Sequence, residues 1–297
     1  MMRFDREQLE TLAAVVAAGT FDAAAARLSV TPSAVSQRIK ALEQQLGRVV
    51  VVRSKPIRAT DAGTALLRLA QQLAALEHEA ASELGIADSL AAVSIPLAVN
   101  ADSMATWLLP ALAEVATAHS VVFELHRDDQ EYTAELLAAG TVMAAVTSEA
   151  RPVSGCSVTP LGRMRYHPVA SPAFADRWFP DGPTAGALAG APVVVFDRKD
   201  ELQSRYLRAV TRKKRLAPPT HFVPASADFA VAIELGLGWG MLPKEQYEPA
   251  RRSGALVVLD AERSVAVPLY WQQWNLRSRA LDAVASAVVS HARAALA

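Results

Sequence analysis

Phe21-Asp22-Ala23-Ala24-Ala25-Ala26-Arg27-Leu28, then Ser29-Val30, then Thr31-Pro32-Ser33-Ala34-Val35-Ser36-Gln37-Arg38-Ile39-Lys40-Ala41-Leu42-Glu43: two helical stretches are separated here by a turn of two residues. Ala24, Ala25 and Leu28 share one face of the first stretch. Thr31 suits the N-cap of the second and Pro32 its first helical position, and the apolar spacing continues through Leu46 to a stop at Gly47. Two helices joined so tightly predict a helix-turn-helix. Upstream, residues 4–18 carry Leu9, Leu12, Ala13, Val16 and Ala17 on one stripe, closed by Gly19. Downstream, residues 49–52 are β-branched and residues 53–58 contain Pro56, which together predict a two-stranded wing.

Charge supports this reading by its distribution, since 30 Lys and Arg balance 30 Asp and Glu over the 297 residues. Between residues 27 and 58 stand Arg27, Arg38, Lys40, Arg48, Arg53, Lys55 and Arg58 against the single acid Glu43. One locally basic segment in a neutral chain fits a double-stranded DNA-binding module joined to a part that binds no DNA. An ordinary solvated charged face is the competing interpretation, and the helix pattern weighs against it. Cys156 is the only cysteine, which excludes an intrachain disulfide framework and a cysteine-cluster metal site. Arg3, Asp5, Arg6 and Glu7 precede any apolar run, so no signal peptide is expected. No uncharged apolar stretch of ~18 residues predicts a membrane span. A cytoplasmic protein is expected.

Residues 61–84 place Leu66, Leu69, Leu73, Leu76 and Ala80 at alternating spacings of three and four, which predicts a dimerising coiled-coil seam rather than a helix packed on its own domain. After Asp88 the pattern alternates. Strands are expected at 93–99, 121–125, 142–147, 166–170, 192–196, 221–223, 240–242, 256–259 and 269–272. Helices are expected at 103–118, 131–139, 202–212, 227–235 and 276–295. This predicts an α/β region with largely parallel sheets, long enough for two subdomains around a cleft. The expected division is 1–60 for the winged helix-turn-helix, 61–88 for the linker helix and 89–297 for the two α/β subdomains.

The quoted stretch closely resembles the N-terminal signature of LysR-type transcriptional regulators. That resemblance covers essentially the whole chain and implies a wing, a Thr-x-x-Gly element (Thr60 to Gly63 here), a dimerising linker helix and a periplasmic-binding-protein-like effector domain. It also implies self-association as a dimer or tetramer, with RNA polymerase as a further partner. Leu97-Ala98-Val99-Asn100-Ala101-Asp102-Ser103-Met104-Ala105-Thr106-Trp107, with Gln37-Arg38-Ile39-Lys40 and Tyr270-Trp271, is similar to the regulators of basic-amino-acid export, the ArgP/LysG group. This second resemblance implies lysine, arginine or a related effector and an exporter gene as target.

In the recognition helix Ser33, Ser36, Gln37 and Lys40 fall on one face, while Ala34, Val35, Ile39, Leu42 and Leu46 can pack inward. Short hydroxyls permit close approach to base edges, and Gln37 can pair with a base by two hydrogen bonds. Arg38, Lys40 and Arg53 are expected on phosphates. Thr31 and Pro32 at the helix entry complete the DNA-binding set, although Ser33 can equally serve only as a cap.

For the effector, Asn100, Asp102 and Ser103 follow the first strand and open a helix, which suits a carboxylate. Asp128 and Asp129 follow the second strand, Thr147 ends the third and Asp197 ends the fifth candidate strand, where acids would complement a cation. Helix capping and loop solvation are the plainer alternatives. Gly236, Gly238 and Gly240 lie in helix-to-strand order, opposite to a dinucleotide fingerprint, and are expected to make a tight turn. His119, His126, His167 and His221 lack metal-ligand spacing, and no Ser/His/Asp arrangement stands out. No cofactor, metal or catalytic residue is expected. The competing function is an amino-acid-binding or modifying protein with an accessory helix-turn-helix, and an enzyme would need a nucleophile–base pair or a metal cluster, neither of which stands out in the sequence.

Overall fold

The computed structural model describes residues 4–84, 92–127, 133–211, 216–276 and 278–296. Its N-terminal part is built by local signals. Asp5 caps α1 (Arg6–Ala18), its carboxylate accepting the Glu7 amide at 2.7 Å, and Gly19 closes the helix with φ +70°. Thr20 caps α2 (Phe21–Leu28) through the Ala23 amide. Ser29 then turns the chain with a left-handed φ of 55°. Thr31 caps α3 (Pro32–Leu46) through the Ala34 amide at 3.2 Å, with Pro32 at the first position and Gly47 at the end. Each cap satisfies an amide that the helix leaves unpaired, worth about 1 kcal/mol. Leu12, Val15, Val35, Ile39 and Leu42 are all fully buried between α1, α2 and α3, at about 1.5–3 kcal/mol each.

The wing is β1 (Val51–Val52) paired antiparallel with β2 (Arg58–Ala59). Thr60 ties it to α4 (Asp61–Glu83): its hydroxyl donates to the Val49 carbonyl at 2.7 Å and accepts the Gly63 amide at 3.1 Å. Gly63 is required there by space, because a β-carbon would lie 1.9 Å from the Val50 carbonyl oxygen.

The seam expected on α4 divides in two. Leu66 and Leu67 are buried in the core of the winged helix, with Leu69 and Leu73 packed against it, while Leu76 and Leu84 are exposed. The reason is that α1 packs against α4 and the core of the winged helix takes the stripe as far as Leu73.

Beyond the linker, β3 (Val93–Val99) pairs in parallel with β4 (Val121–Arg127) and β5 (Ala144–Thr147). Antiparallel strands complete this seven-stranded sheet, in the order β10-β6-β11-β5-β3-β4, with β9 also on β6. They are β6 (Cys156–Ala170), β9 (Gly240–Pro243), β10 (Val257–Val258) and β11 (Val265–Trp274). A separate parallel pair joins β7 (Val193–Val195) to β8 (Thr220–Phe222). The seven-stranded sheet is therefore mixed where largely parallel sheets were expected, and the β7–β8 pair alone is parallel throughout. A chain that leaves the first subdomain along β6 must come back along β11, so the two long crossing strands run in opposite directions. β6 also begins ten residues before the expected strand at 166, and Cys156 opens it as a buried residue.

The helices cover these sheets. α5 (Ala101–Ser103) continues through a π-helical turn at Met104–Leu108 into α6 (Leu109–Ala118), against which α13 (Arg279–Ala295) packs. α7 (Thr133–Ala139) follows β4, and Arg68 of α4 donates to the Leu137 and Ala138 carbonyls at its end. α8 (Pro172–Trp178), α9 (Ala185–Gly190), α10 (Leu202–Val210), α11 (Ser226–Glu234) and α12 (Lys244–Arg252) serve the second subdomain. Of these α8, α9 and α12 were not anticipated. Trp271 and Trp274 are core residues of the first subdomain. Gly236 and Gly238 make the expected turn and Gly240 opens β9: Gly236 has φ +81°, and a β-carbon on Gly238 would meet the Pro192 carbonyl at 2.8 Å.

Candidate nucleic-acid interface and ligand cleft

Helix α3 turns its apolar positions inward and its polar ones outward. Thr31, Pro32, Ser33, Gln37 and Lys40 are exposed and Ser36 is half-buried, forming one continuous polar face. Val35, Ile39 and Leu42 anchor the opposite side, so the face is held rigidly. Arg38 is engaged within the domain, pairing with Glu7 of α1 at 2.7 Å. Exposed pairs of this kind contribute little stability, up to about 1 kcal/mol, so Arg38 can exchange Glu7 for an outside anion. Arg53 lies with its guanidinium 5.7 Å from the centre of the Phe21 ring, which joins the wing to α2 and leaves the side chain exposed. A rigid polar helix face beside a basic wing has the shape and charge to enter a major groove.

The second site is a cavity of about 500 Å³ between the two subdomains. Its position follows from strand direction. The carboxyl ends of β3 and β4 deliver Asn100, Asp102 and Arg127 from one side, and the segments after β7 and β8 deliver Phe196, Asp197 and Pro224 from the other. Backbone amides and short polar side chains concentrate at such ends, which is where open α/β sheets bind ligands. Tyr166, Met241 and Val267 form the wall contributed by the crossing strands β6, β9 and β11.

Asp102 is the organising group of this cleft. One carboxylate oxygen accepts the Tyr166 hydroxyl and the other accepts the Ser226 hydroxyl, each at 2.8 Å. Burial raises the Asp102 carboxyl above its ordinary pKa, and the two hydroxyl bonds oppose that rise. Burial first, and then the Asp102 charge, push the Tyr166 phenol well above its ordinary value, so Tyr166 stays a donor. Gln246 donates its side-chain amide to the Ser226 carbonyl at 2.7 Å and to its hydroxyl at 3.2 Å. The chain of bonds thus runs from α12 through α11 to α5 and β6, across both subdomains.

The expected effector residues divide by position. Asn100, Asp102 and Asp197 line the cavity. The Asn100 side chain caps its own helix by accepting the Ser103 amide at 3.0 Å. Asp197 accepts the Lys199 and Asp200 amides at 2.7 and 3.0 Å, so one of its oxygens holds the loop after β7. Ser103 is fully buried behind the wall, with its hydroxyl lacking a partner. Thr147 is also fully buried, where its hydroxyl accepts the Glu149 amide, and it is not part of the wall. Asp128 and Asp129 lie outside the described residues.

Sequence reasoning missed Tyr166, Ser226 and Asp200. Asp200 accepts the Phe196 and Leu202 amides, and burial raises its carboxyl pKa. The polar residues in the loop after β7 were a usable signal for Asp200. Nothing local marks Tyr166 or Ser226, which are 64 and 124 residues from Asp102.

Comparison with known proteins finds a family match for each part of the chain. The family described as bacterial regulatory helix-turn-helix protein, lysR family, matches residues 6–64, and the LysR substrate binding domain matches residues 93–296. A Mycobacterium tuberculosis protein named HTH-type transcriptional regulator LysG is 50% identical over 276 residues, covering 93% of this chain and 89% of its own. The Corynebacterium glutamicum lysine export transcriptional regulatory protein LysG is 40% identical over 285 residues, covering 96% and 97%. The solved full-length C. glutamicum LysG with bound effector Arg has a TM-score of 0.77 at 39% identity, covering 99% of each chain.

Proposed function

Because this chain belongs to the LysR family of bacterial transcriptional regulators, we propose that it binds DNA through its winged helix-turn-helix and answers to lysine or arginine in its cleft. The gene it controls encodes an amino-acid exporter. The observation that carries the effector reading is the cavity between the subdomains, whose wall includes the carboxylates Asp102, Asp197 and Asp200. A small ligand that brings one carboxylate and two cationic groups needs anionic partners there, since burying an unpaired cation is costly. The relative solved with bound Arg and the relative named for lysine export support the same choice.

In this reading the chain divides into the DNA-binding domain at 1–60, the linker helix at 61–88 and the effector domain at 89–297. Thr31, Pro32, Ser33, Ser36, Gln37 and Lys40 meet the major groove, and Arg38 and Arg53 hold phosphates. Asn100, Asp102, Ser103, Thr147, Asp197 and the pair Asp128 and Asp129 serve the effector, with Ser103 and Thr147 acting from behind the wall. Two copies join along α4, where Leu76 is exposed, as is Leu84 just past its end, and two such dimers form a tetramer. RNA polymerase is the partner that reads the regulated state. The site of action is the cytoplasm; among the described residues no helix is long and apolar enough to cross a membrane.

The test is calorimetric titration of the full chain with lysine, arginine, leucine and a dicarboxylate, followed by DNA binding with and without each. Binding of a basic amino acid that alters the DNA affinity is the expected result. If neither lysine nor arginine binds, the effector assignment fails.

A further inference from the structure

The linker helix carries a contact to the effector domain that neither site explains. In a crossover between parallel strands the helix runs back from their carboxyl ends to their amino ends. Helix α7 lies between β4 and β5, so it starts on the cleft side and ends away from it. At that far end Arg68 of α4 donates from one guanidinium nitrogen to two successive carbonyls, Leu137 at 3.4 Å and Ala138. Carbonyls in the last turn of a helix carry partial negative charge, and a cation is favoured there. Gly140, which closes α7, lies flat on the same turn of α4. A β-carbon on it would come 2.7 Å from Cγ of Arg68 and 3.5 Å from the Thr64 carbonyl oxygen. The Leu137 carbonyl also accepts the Trp274 indole at 3.5 Å, so the crossing strand β11 meets the same joint.

That turn of α4 has a second face. Leu66 and Leu67, which stand between Thr64 and Arg68, are buried in the winged-helix core with Val35, Ile39 and Leu42 of α3. One helical turn is therefore shared by two packed bodies, and close-packed bodies transmit displacement instead of absorbing it. We propose that Arg68 is a positioning residue that couples the cleft to the recognition helix, by holding the last turn of α7 to the turn of α4 whose other face is winged-helix core. This rests on the reading of the cleft as an amino-acid site. Arg68 itself lines neither the cleft nor the polar face of α3, and the contact lies inside one chain.

The chemistry of the contact suits this role. A guanidinium is planar and points its N–H groups in fixed directions, and hydrogen bonds weaken steeply when misaligned. Arg68 therefore registers where the two carbonyls stand, whereas a purely apolar contact would let the helices slide. Strand β4, which precedes α7, ends in Arg127 on the cavity wall. When an occupant shifts that wall, the carbonyls of α7 shift with it, and α4 either follows or gives up its acceptors. The balance between two placements of α4 then depends on the cleft, which is what coupling between two sites requires.

The experiment compares the full-length wild type with Arg68→Met, which keeps an unbranched stem against Gly140 and removes the donors, and with Arg68→Lys, which keeps only the charge. Calorimetry measures arginine binding, and fluorescence anisotropy measures affinity for a duplex selected from a random library by the wild type, with and without saturating arginine. In the wild type arginine should change DNA affinity by about 5–150-fold, and in Arg68→Met by less than about twofold while arginine still binds. Arg68→Lys should fall between them, and it carries the test if circular dichroism shows Arg68→Met unfolded. Hydrogen exchange gives a readout without DNA: arginine should alter residues 61–75 only when Arg68 is present, and residues 93–103 in every folded variant. A folded variant that keeps the wild-type ratio and exchange response overturns the inference while leaving the effector class intact, even if its stability is lower. A wild type that binds arginine with no change in DNA affinity does the same. A wild type that binds neither lysine nor arginine overturns the inference and the reading beneath it together.

Discussion

Replacing Gly63 with alanine sets two effects against each other, and their sizes decide the outcome. Gly63 lies in the first turn of α4 in an ordinary helical conformation, so propensity alone favours alanine by about 1 kcal/mol. The added β-carbon, however, would sit 1.9 Å from the Val50 carbonyl oxygen and 3.3 Å from the Ala59 β-carbon. Helix and wing would have to separate by roughly 1 Å, and overpacking of this kind costs about 1–3 kcal/mol. The same carbonyl accepts the Thr60 amide at 3.0 Å, and losing that bond leaves a polar pair unsatisfied at about 1–3 kcal/mol more. The net expectation is a destabilisation of about 1–5 kcal/mol in the DNA-binding domain, a large share of what a small domain has. Urea denaturation of the full chain followed by circular dichroism, with DNA affinity by fluorescence anisotropy, measures both consequences. Gly47→Ala is the control, because nothing lies within 4 Å of its added carbon and only its φ of +68° is strained. If Gly63→Ala unfolds at or above the wild-type midpoint, the tight seat of α4 on the wing is refuted.

Gln37→Ala should relax sequence preference by about 1–3 kcal/mol, while Arg53→Ala should weaken binding to all sequences alike; equal loss on cognate and random DNA for Gln37→Ala removes it from base readout. Leu76→Asp should weaken the dimer without unfolding the winged helix, because Leu76 is exposed whereas Leu66 is core; sedimentation equilibrium that shows an unchanged assembly contradicts the α4 interface. Asp102 is held above the ordinary carboxylate range by burial, so between its unfolded and folded values the native chain binds more protons than the unfolded one. The unliganded chain should therefore lose stability as pH rises through that window, and Asp102→Asn should flatten the dependence; identical urea midpoints against pH for both proteins would show that the group is not coupled to folding.

The sequence by itself determined the helix-turn-helix almost to the residue. Thr31, Pro32 and Gly47 fix their helix through bonds and backbone angles that involve only near neighbours, and such signals survive without any tertiary context. The same signals stood unread before α8, where Ser171 precedes Pro172 at a helix start, and before α9, where Thr184 caps through Ala187. Both helices are short, so their apolar stripes are too brief to mark them. Strand positions were also legible, but strand direction was not. Whether β11 runs with or against β5 depends on where the chain must return after the second subdomain, and no local pattern encodes that path. The fate of Leu66 was likewise decided by α1 arriving from outside the linker. Of the cleft, the sequence marked Asn100 and Asp102 because they follow a strand and open a helix. Tyr166 and Ser226 reach the same carboxylate only once two subdomains have folded and closed on each other, since contacts between residues so far apart in the chain arise from the packing of whole elements.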